Sequence, residues 1–147
     1  MANGSFTIKR AVTVRAVVTP RWKEEAEREL SNAIVNVDQQ LAQLEQEGQR
    51  LTEEIRRQSA NPLDPRVQEQ VAGLQQQVAA KRAEFEEQKR QVLEQQRSVR
   101  ELEMEQIVEQ GQLESFCEVR VGDNLVQKLQ AAVVLRDGVI EAVEGAE

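Results

Sequence analysis

Two stretches decide the fold of this chain: Leu30-Ser-Asn-Ala-Ile34-Val-Asn-Val37-Asp-Gln-Gln-Leu41-Ala-Gln-Leu44-Glu-Gln-Glu-Gly48-Gln-Arg-Leu51-Thr-Glu-Glu-Ile55, and Val67-Gln-Glu-Gln-Val71-Ala-Gly-Leu74-Gln-Gln-Gln-Val78-Ala-Ala-Lys81-Arg-Ala-Glu-Phe85-Glu-Glu-Gln88-Lys-Arg-Gln-Val92. In the first, Leu30, Ile34, Val37, Leu41, Leu44, Gly48, Leu51 and Ile55 follow alternating steps of four and three. The second repeats the spacing with Val67, Val71, Leu74, Val78, Lys81, Phe85, Gln88 and Val92. Such a stripe faces one side of a helix and seats against a second stripe of the same period. Laid antiparallel, the two align as Ile55 with Val67, Leu51 with Val71, Gly48 with Leu74, Leu44 with Val78, and outward to Leu30 with Val92. The pattern therefore predicts a chain that folds back on itself as a long coiled-coil hairpin.

Four seam positions are not apolar. Gly48 costs about 1 kcal/mol of helix propensity relative to alanine, and in this alignment it makes room for Leu74. Lys81, Gln88 and Gln95 stand on the second helix where an apolar side chain would be more stabilising. Their reading is that they fix register, with Lys81 extending its amine to solvent. The sharper alternative is that the seam near the hairpin's base is loosened to accept another helix.

Caps bound both helices. Thr19 and Pro20 supply an N-cap and a proline at the first helical position, and Glu24 and Glu25 suit the positive end of the helix dipole. The first helix then runs to about Ser59. Ser59-Ala-Asn-Pro62-Leu63-Asp64-Pro65 is a turn, because Pro62 drives Asn61 out of helical conformation and Asp64-Pro65 repeats the cap-then-proline start. Each helix of about forty residues is roughly 60 Å long. The second heptad loses phase beyond Leu102; Met104, Ile107 and Val108 broaden its apolar surface, and Gly111 is expected to end the helix.

The flanks read as strands. Phe6, Ile8, Val12, Val14, Ala16 and Val18 alternate with Thr7, Lys9, Thr13 and Arg15, in one strand or two joined at Arg10. Phe116 to Val121 reads as a strand, Gly122 to Asn124 as a turn, and Ala131–Leu135 with Val139–Val143 as a hairpin about Asp137-Gly138. Leu125 to Gln130 is either strand or one helical turn. Because the helices return the chain to its start, the first strand and the last three can share one sheet. The expected architecture is α+β: residues 5–18 with 112–145 form a small β-sheet or barrel-like module. Residues 19–111 form the inserted hairpin, with its turn near 60–64.

Composition fits an extended helical protein with a thin core: 39% hydrophobic, 3% aromatic and 31% charged over 147 residues. No run of about eighteen apolar residues and no basic-then-apolar leader occurs, so the chain reads as cytoplasmic with no membrane contact. Cys117 is the single cysteine and the chain has no histidine; it is expected to be a small buried apolar side chain. Residues 1–23 carry five bases and no acid, whereas residues 112–147 carry seven acids and three bases. Strands of opposite charge side by side predict cross-strand ion pairs. A basic patch for phosphates is the alternative, but residues 24–111 hold nineteen acids against eleven bases and would repel nucleic acid.

Catalytic signals are absent from the sequence. It has no histidine or tyrosine, no glycine-rich phosphate loop, no metal-spaced cysteine pair and no nucleophile motif. The doublets Glu24-Glu25, Glu53-Glu54 and Glu86-Glu87 are solvated helix surface. The reading is that the protein is not an enzyme and takes no cofactor or metal.

Two flanking segments carry a family resemblance. Thr7-Ile-Lys-Arg-Ala-Val-Thr-Val-Arg-Ala-Val-Val-Thr-Pro20, the long charged hairpin, and Glu118-Val-Arg-Val-Gly-Asp123 with Val133-Val-Leu-Arg-Asp-Gly-Val-Ile140 resemble the YlqD family of small bacterial proteins over nearly the whole chain. That family has no established activity, so the resemblance implies no catalytic or binding residues. Some members lie beside genes for ribosome and RNA maturation, which implies a binding role there that the acidic charge does not support.

The preferred reading is a noncatalytic interaction or scaffolding protein that self-associates as a homo-oligomer through its β module, where about fifty residues make a small core with sheet edges to cover. A prefoldin-like holdase would grip clients with its hairpin tips, but Leu63 is the one apolar side chain that stands out at the turn. An export adaptor would need a membrane anchor, and a polymerase-channel factor would need an acidic tip. Residues 50–66 instead hold four arginines and three acids. A protein partner is expected at that tip, with Arg56, Arg57, Leu63 and Arg66 as the candidate binding residues. The competing assignment is that Leu63 folds over Ile55 and Val67 as an end cap.

Overall fold

The computed structural model describes residues 4–145. In chain order it contains β1 (Ser5–Val17), α1 (Pro20–Gln58), α2 (Pro65–Glu101), β2 (Ile107–Arg120), α3 (Leu125–Leu129), β3 (Ala131–Arg136) and β4 (Val139–Glu144). The described residues form two compact units: residues 4–25 with 101–145, and residues 26–100. The architecture is α+β, a helical hairpin and a four-stranded mixed sheet built from both chain ends.

The sheet has the order β2-β1-β3-β4. β1 is one continuous strand, antiparallel to β2 along its whole length and parallel to β3 over Val12–Ala16. β3 and β4 are joined by Asp137 and Gly138, both at positive φ (50° and 84°), the backbone that a two-residue hairpin of right-handed twist requires. The stretch after β2 resolves to helix: Asn124 caps α3, its side chain accepting from the Gln127 amide at 3.3 Å.

Two expectations at the end of α2 are corrected. The helix stops at Glu101, not Gly111, and the strand expected from Phe116 begins at Ile107. Met104, Ile107 and Val108 have helical spacing, but Ile107 and Val108 are β-branched and β1 offers a thirteen-residue edge. Pairing that whole edge satisfies a row of backbone donors and acceptors that one more helical turn would leave open. The turn is tight: Glu105 takes φ 69° and its amide donates to Val18 O, while the Val18 amide donates to Gln106 O, both at 2.8 Å. Gly111 lies inside β2 opposite Val14, next to a bulge at which Gln110 is the extra residue.

The sheet's core is small. Ala16, Val17, Val18, Cys117, Ala132 and Val134 are buried, Cys117 as its sequence context suggests. Phe6 shares the face of Ile8 but is 77% exposed, because it pairs with Val119 at the far end of β1, where β3 does not reach. Arg10 falls in the apolar phase of β1, and its Nη1 donates to the carbonyls of Lys128 at 2.6 Å and Gly145 at 3.2 Å. It ties α3 and the end of β4 to the central strand.

In the hairpin the caps are as expected. The Trp22 amide donates to Thr19 Oγ1 at 3.1 Å, and the Arg66 amide donates to Asp64 Oδ1 at 2.9 Å. The register is not. Gly48 lies against Val78, not Leu74; a Cβ on it would sit 3.1 Å from Val78 Cγ2. Cross-helix pairs follow that offset to within one residue: Glu45 with Arg82, Asp38 with Lys89 at 2.8 Å, Ser31 with Gln96 at 3.1 Å and Glu27 with Arg100 at 2.8 Å. A heptad stripe slipped by one layer still sets apolar against apolar, so spacing alone leaves the register degenerate. The charges break that degeneracy, because the aligned-stripe register would part these partners by about a helical turn.

The seam also changes phase. On α2 the covered positions run Val67, Val71, Leu74, Val78 and then Arg82, Phe85, Lys89, Val92 and Gln96. Two successive four-residue steps at Val78 carry the stripe one residue past Lys81, Gln88 and Gln95, all of which are exposed. On α1 the step falls at Gly48: Thr52 joins the covered stripe, while Leu51 is 39% exposed. Lys81 therefore lies outside the seam, its Nζ 3.4 Å from Glu84 and 5.4 Å from the Phe85 ring centroid. The seam positions near the base belong to Arg82, Lys89 and Gln96, each already partnered across the hairpin, which leaves no loosened half to receive another helix.

Candidate functional site

Three surfaces carry chemistry that binding could use, and the hairpin tip is the first. The turn between α1 and α2 is held by its own hydrogen bonds. Ser59 Oγ donates to Asn61 O at 3.1 Å, the Leu63 amide to Asn61 Oδ1 at 3.1 Å, and the Asp64 amide to Asn61 O at 3.0 Å. Leu63 projects from this braced turn at 77% exposure; it is not an end cap buried over Ile55 and Val67. Beside it runs a groove of about 420 Å³ lined by Arg56, Pro62, Leu63, Val67, Val71 and Ala72. Arg56 is thus brought to the apolar groove, whereas Arg57 and Arg66 are exposed on the adjoining helix ends.

Cations at the tip and toward the base differ in their partners. Among the described residues Arg50, Arg56, Arg57 and Arg66 have no ion-pair partner, although Glu53 and Glu54 stand about one turn before Arg56 and Arg57. Toward the base, Arg82, Lys89 and Arg100 pair across the hairpin, and Arg90 pairs along α2 with Glu87 at 2.7 Å and Glu94 at 3.2 Å. The Arg90 hydrogen bond holds the Glu87 carboxyl below the usual carboxylate range. A second groove of about 440 Å³ lies over Gly48, Thr52, Leu74 and Val78; its rim carries Glu45 and Arg82, which pair with each other, together with Glu53 and Arg56.

The second surface is one face of the sheet. By register, Val108, Ala16, Leu135 and Ile140 form a row across the four strands; Gly111, Val14, Val133 and Val143 form the next; Leu113, Val12 and Ala131 form a third. No polar side chain interrupts these rows. The inner strands keep their residues half-covered or, at Ala16, buried, while Leu113 (61%), Ile140 (58%) and Val143 (54%) on the outer strands are exposed. The opposite face is different: Arg15 Nη1 reaches Glu144 Oε2 at 3.1 Å beside the buried Ala132 and Val134. That pair joins the basic first strand to the acidic last one, but it reaches over β3 and does not link strands side by side as expected; Glu147 lies outside the described residues. Alternation along β1 put Val12, Val14 and Ala16 on one face from sequence; β3, uniformly apolar over Ala131–Leu135, gave no face, and the part contributed by β2 was hidden by reading residues 107–111 as helix.

The third is a polar knot where the chain passes between sheet and hairpin. The Arg136 guanidinium forks onto Glu105 (Nη1–Oε1 2.8 Å, Nη2–Oε2 2.5 Å), and its Nε reaches Glu141 at 2.9 Å. These bonds hold the Glu105 carboxyl below its ordinary range and raise the already high pKa of Arg136. Thr19 Oγ1 donates to Asp137 Oδ1 at 2.6 Å while accepting from the Trp22 amide, so it caps α1 and fastens that end to the β3–β4 turn. Each of the three carboxylates in the knot accepts at least one hydrogen bond from a neighbour, which suits a brace. Among the described residues no group of three or more Cys, Asp or Glu side chains is placed to hold a metal ion, and no helix is long and apolar enough to cross a membrane.

Comparisons with known proteins bear on the family and the fold. The family described as YlqD protein matches residues 6–144. A crystal structure of a protein of unknown function from Synechococcus sp. WH 8102 is 73% identical, with a TM-score of 0.81 over 96% of this chain and 95% of that one. No curated protein matches.

Proposed function

The chain belongs to the YlqD family, a family of uncharacterised function, and from that premise we propose that it is a noncatalytic interaction protein that self-associates through its β module. The observation that carries the reading is the apolar face of the sheet. Three apolar rows cross the sheet, two of them spanning all four strands, with Leu113, Ile140 and Val143 more than half exposed. An exposed apolar face costs about 25 cal/mol for each Å² left in water, and contiguous apolar patches of this kind mark interfaces. A second copy of the chain is the occupant that fits, since two identical apolar faces are complementary in character and a two-fold contact satisfies both at once. The outer strands β2 and β4 each have one unpaired edge, a further reason for the module to be covered.

Light scattering on the full chain is expected to give at least a dimer. Ile140→Glu with Val143→Glu, both on an exposed outer strand, is expected to yield a monomer that keeps its helical signal. A wild-type chain that stays monomeric at high concentration would overturn the reading.

A further inference from the structure

We propose that the hairpin tip is a docking site for an acidic peptide segment bearing an apolar anchor side chain, a site independent of the self-association through the sheet. Its parts stand close together. Leu63 is 77% exposed on a turn braced by Asn61 and Asp64, so presenting it to a partner costs little ordering. The groove of about 420 Å³ between Pro62, Leu63, Val67 and Val71 has room for one apolar side chain. Arg56 lines the groove, and Arg57 and Arg66 are exposed on the adjoining helix ends; among the described residues none has an ion-pair partner.

The rest of the molecule makes those free arginines informative. The chain carries twenty-six acids against nineteen bases, and near the hairpin's base its cations are engaged, Arg82 by Glu45, Lys89 by Asp38 and Arg100 by Glu27. Unpaired guanidinium groups concentrated beside an apolar groove complement a carboxylate-rich partner, since arginine presents a planar fork that carboxylates match. The chemistry favours peptide over nucleic acid. Residues 50–66 include no aromatic ring on which a base would stack, and residues 24–111 are acidic, with nineteen acids against eleven bases.

The test is fluorescence anisotropy on the full chain with three labelled probes: a glutamate-rich peptide with one central phenylalanine, the same peptide with serine in that place, and a single-stranded RNA of equal length. The first is expected to bind and the other two to bind about tenfold more weakly or not at all. Arg56→Glu, Arg57→Glu and Arg66→Glu are each expected to weaken the first probe by about tenfold. Lys9→Glu, which changes net charge equally, is expected to change it by less than about twofold. Leu63→Ser is expected to weaken binding while leaving the melting temperature in place. The proposal is overturned if the phenylalanine peptide does not bind, or if the serine peptide or RNA binds as well as it does. It is also overturned if Leu63→Ser lowers the melting temperature and leaves binding intact, which would make Leu63 a cap.

Discussion

The two halves of the hairpin are built from the same spacing and held by different forces. From Gly48 and Val78 toward the tip the seam is aliphatic apart from Thr52, with Leu74, Val71, Val67 and Ile55 meeting across it, and the arginines outside it are unpaired among the described residues. Toward the base, pairs recur at seven-residue steps: Glu45 with Arg82, Asp38 with Lys89 and Ser31 with Gln96. The apolar half supplies burial and tolerates more than one alignment; the polar half selects one alignment and consumes its charges in doing so. Charges left over at the tip are therefore available to something else. The phase change at Gly48 and Val78 is the border between these two regimes.

The border itself carries the largest expected effect. Gly48→Leu places a branched side chain where even a Cβ stands 3.1 Å from Val78 Cγ2. It should destabilise the hairpin by about 1–3 kcal/mol, read as a fall in melting temperature. A neutral result would mean that the helices separate freely there.

In the base half, Ser31→Ala removes the hydroxyl that accepts from the buried Gln96 amide. A loss of about 1 kcal/mol is expected, with much of it recovered when Gln96→Leu is added, since a buried donor without a partner costs more than an apolar pair. If the double variant is no better than the single one, the ladder rung is not a unit.

A double-mutant cycle on Asp38→Asn and Lys89→Gln should report a coupling of about 0.2–1 kcal/mol that fades at high salt, as suits a partly exposed pair. Coupling that is absent at low salt would remove this rung from the account. The smallest effect belongs to Lys81. Because it lies outside the seam at 55% side-chain exposure, Lys81→Leu should move stability by no more than about 0.5 kcal/mol. A clear gain in melting temperature would return it to the core.

Much of this was legible in the sequence, for identifiable reasons. Thr19-Pro20 and Asp64-Pro65 marked both helix starts because capping chemistry is local. Asp137-Gly138 marked the β3–β4 turn because few residues take positive φ without strain. Apolar spacing found the hairpin but could not choose between registers one layer apart, nor could it see the phase step that replaces Lys81, Gln88 and Gln95 by Arg82, Lys89 and Gln96. Long side chains with aliphatic stems fill seam positions as well as short apolar ones do, and counting apolar residues does not see them. Residues 107–115 were misread because their partner, β1, is about a hundred positions away in sequence. For the candidate site, Arg56, Arg57, Leu63 and Arg66 were readable as a basic tip with one apolar residue; the groove beside Val67 and Val71 required the turn's geometry.

The register is the claim on which the comparison depends, and a disulfide tests it most directly. In a Cys117→Ser background, cysteines at Gly48 and Val78 have β-carbons 3.9 Å apart, within the roughly 3.5–4.5 Å that a disulfide needs. They should oxidise rapidly to an intramolecular bond, while cysteines at Leu44 and Val78, the pair that aligned stripes place in contact, should remain reduced. Rapid closure of Leu44 with Val78 and none of Gly48 with Val78 would contradict the register and the polar ladder that sets it.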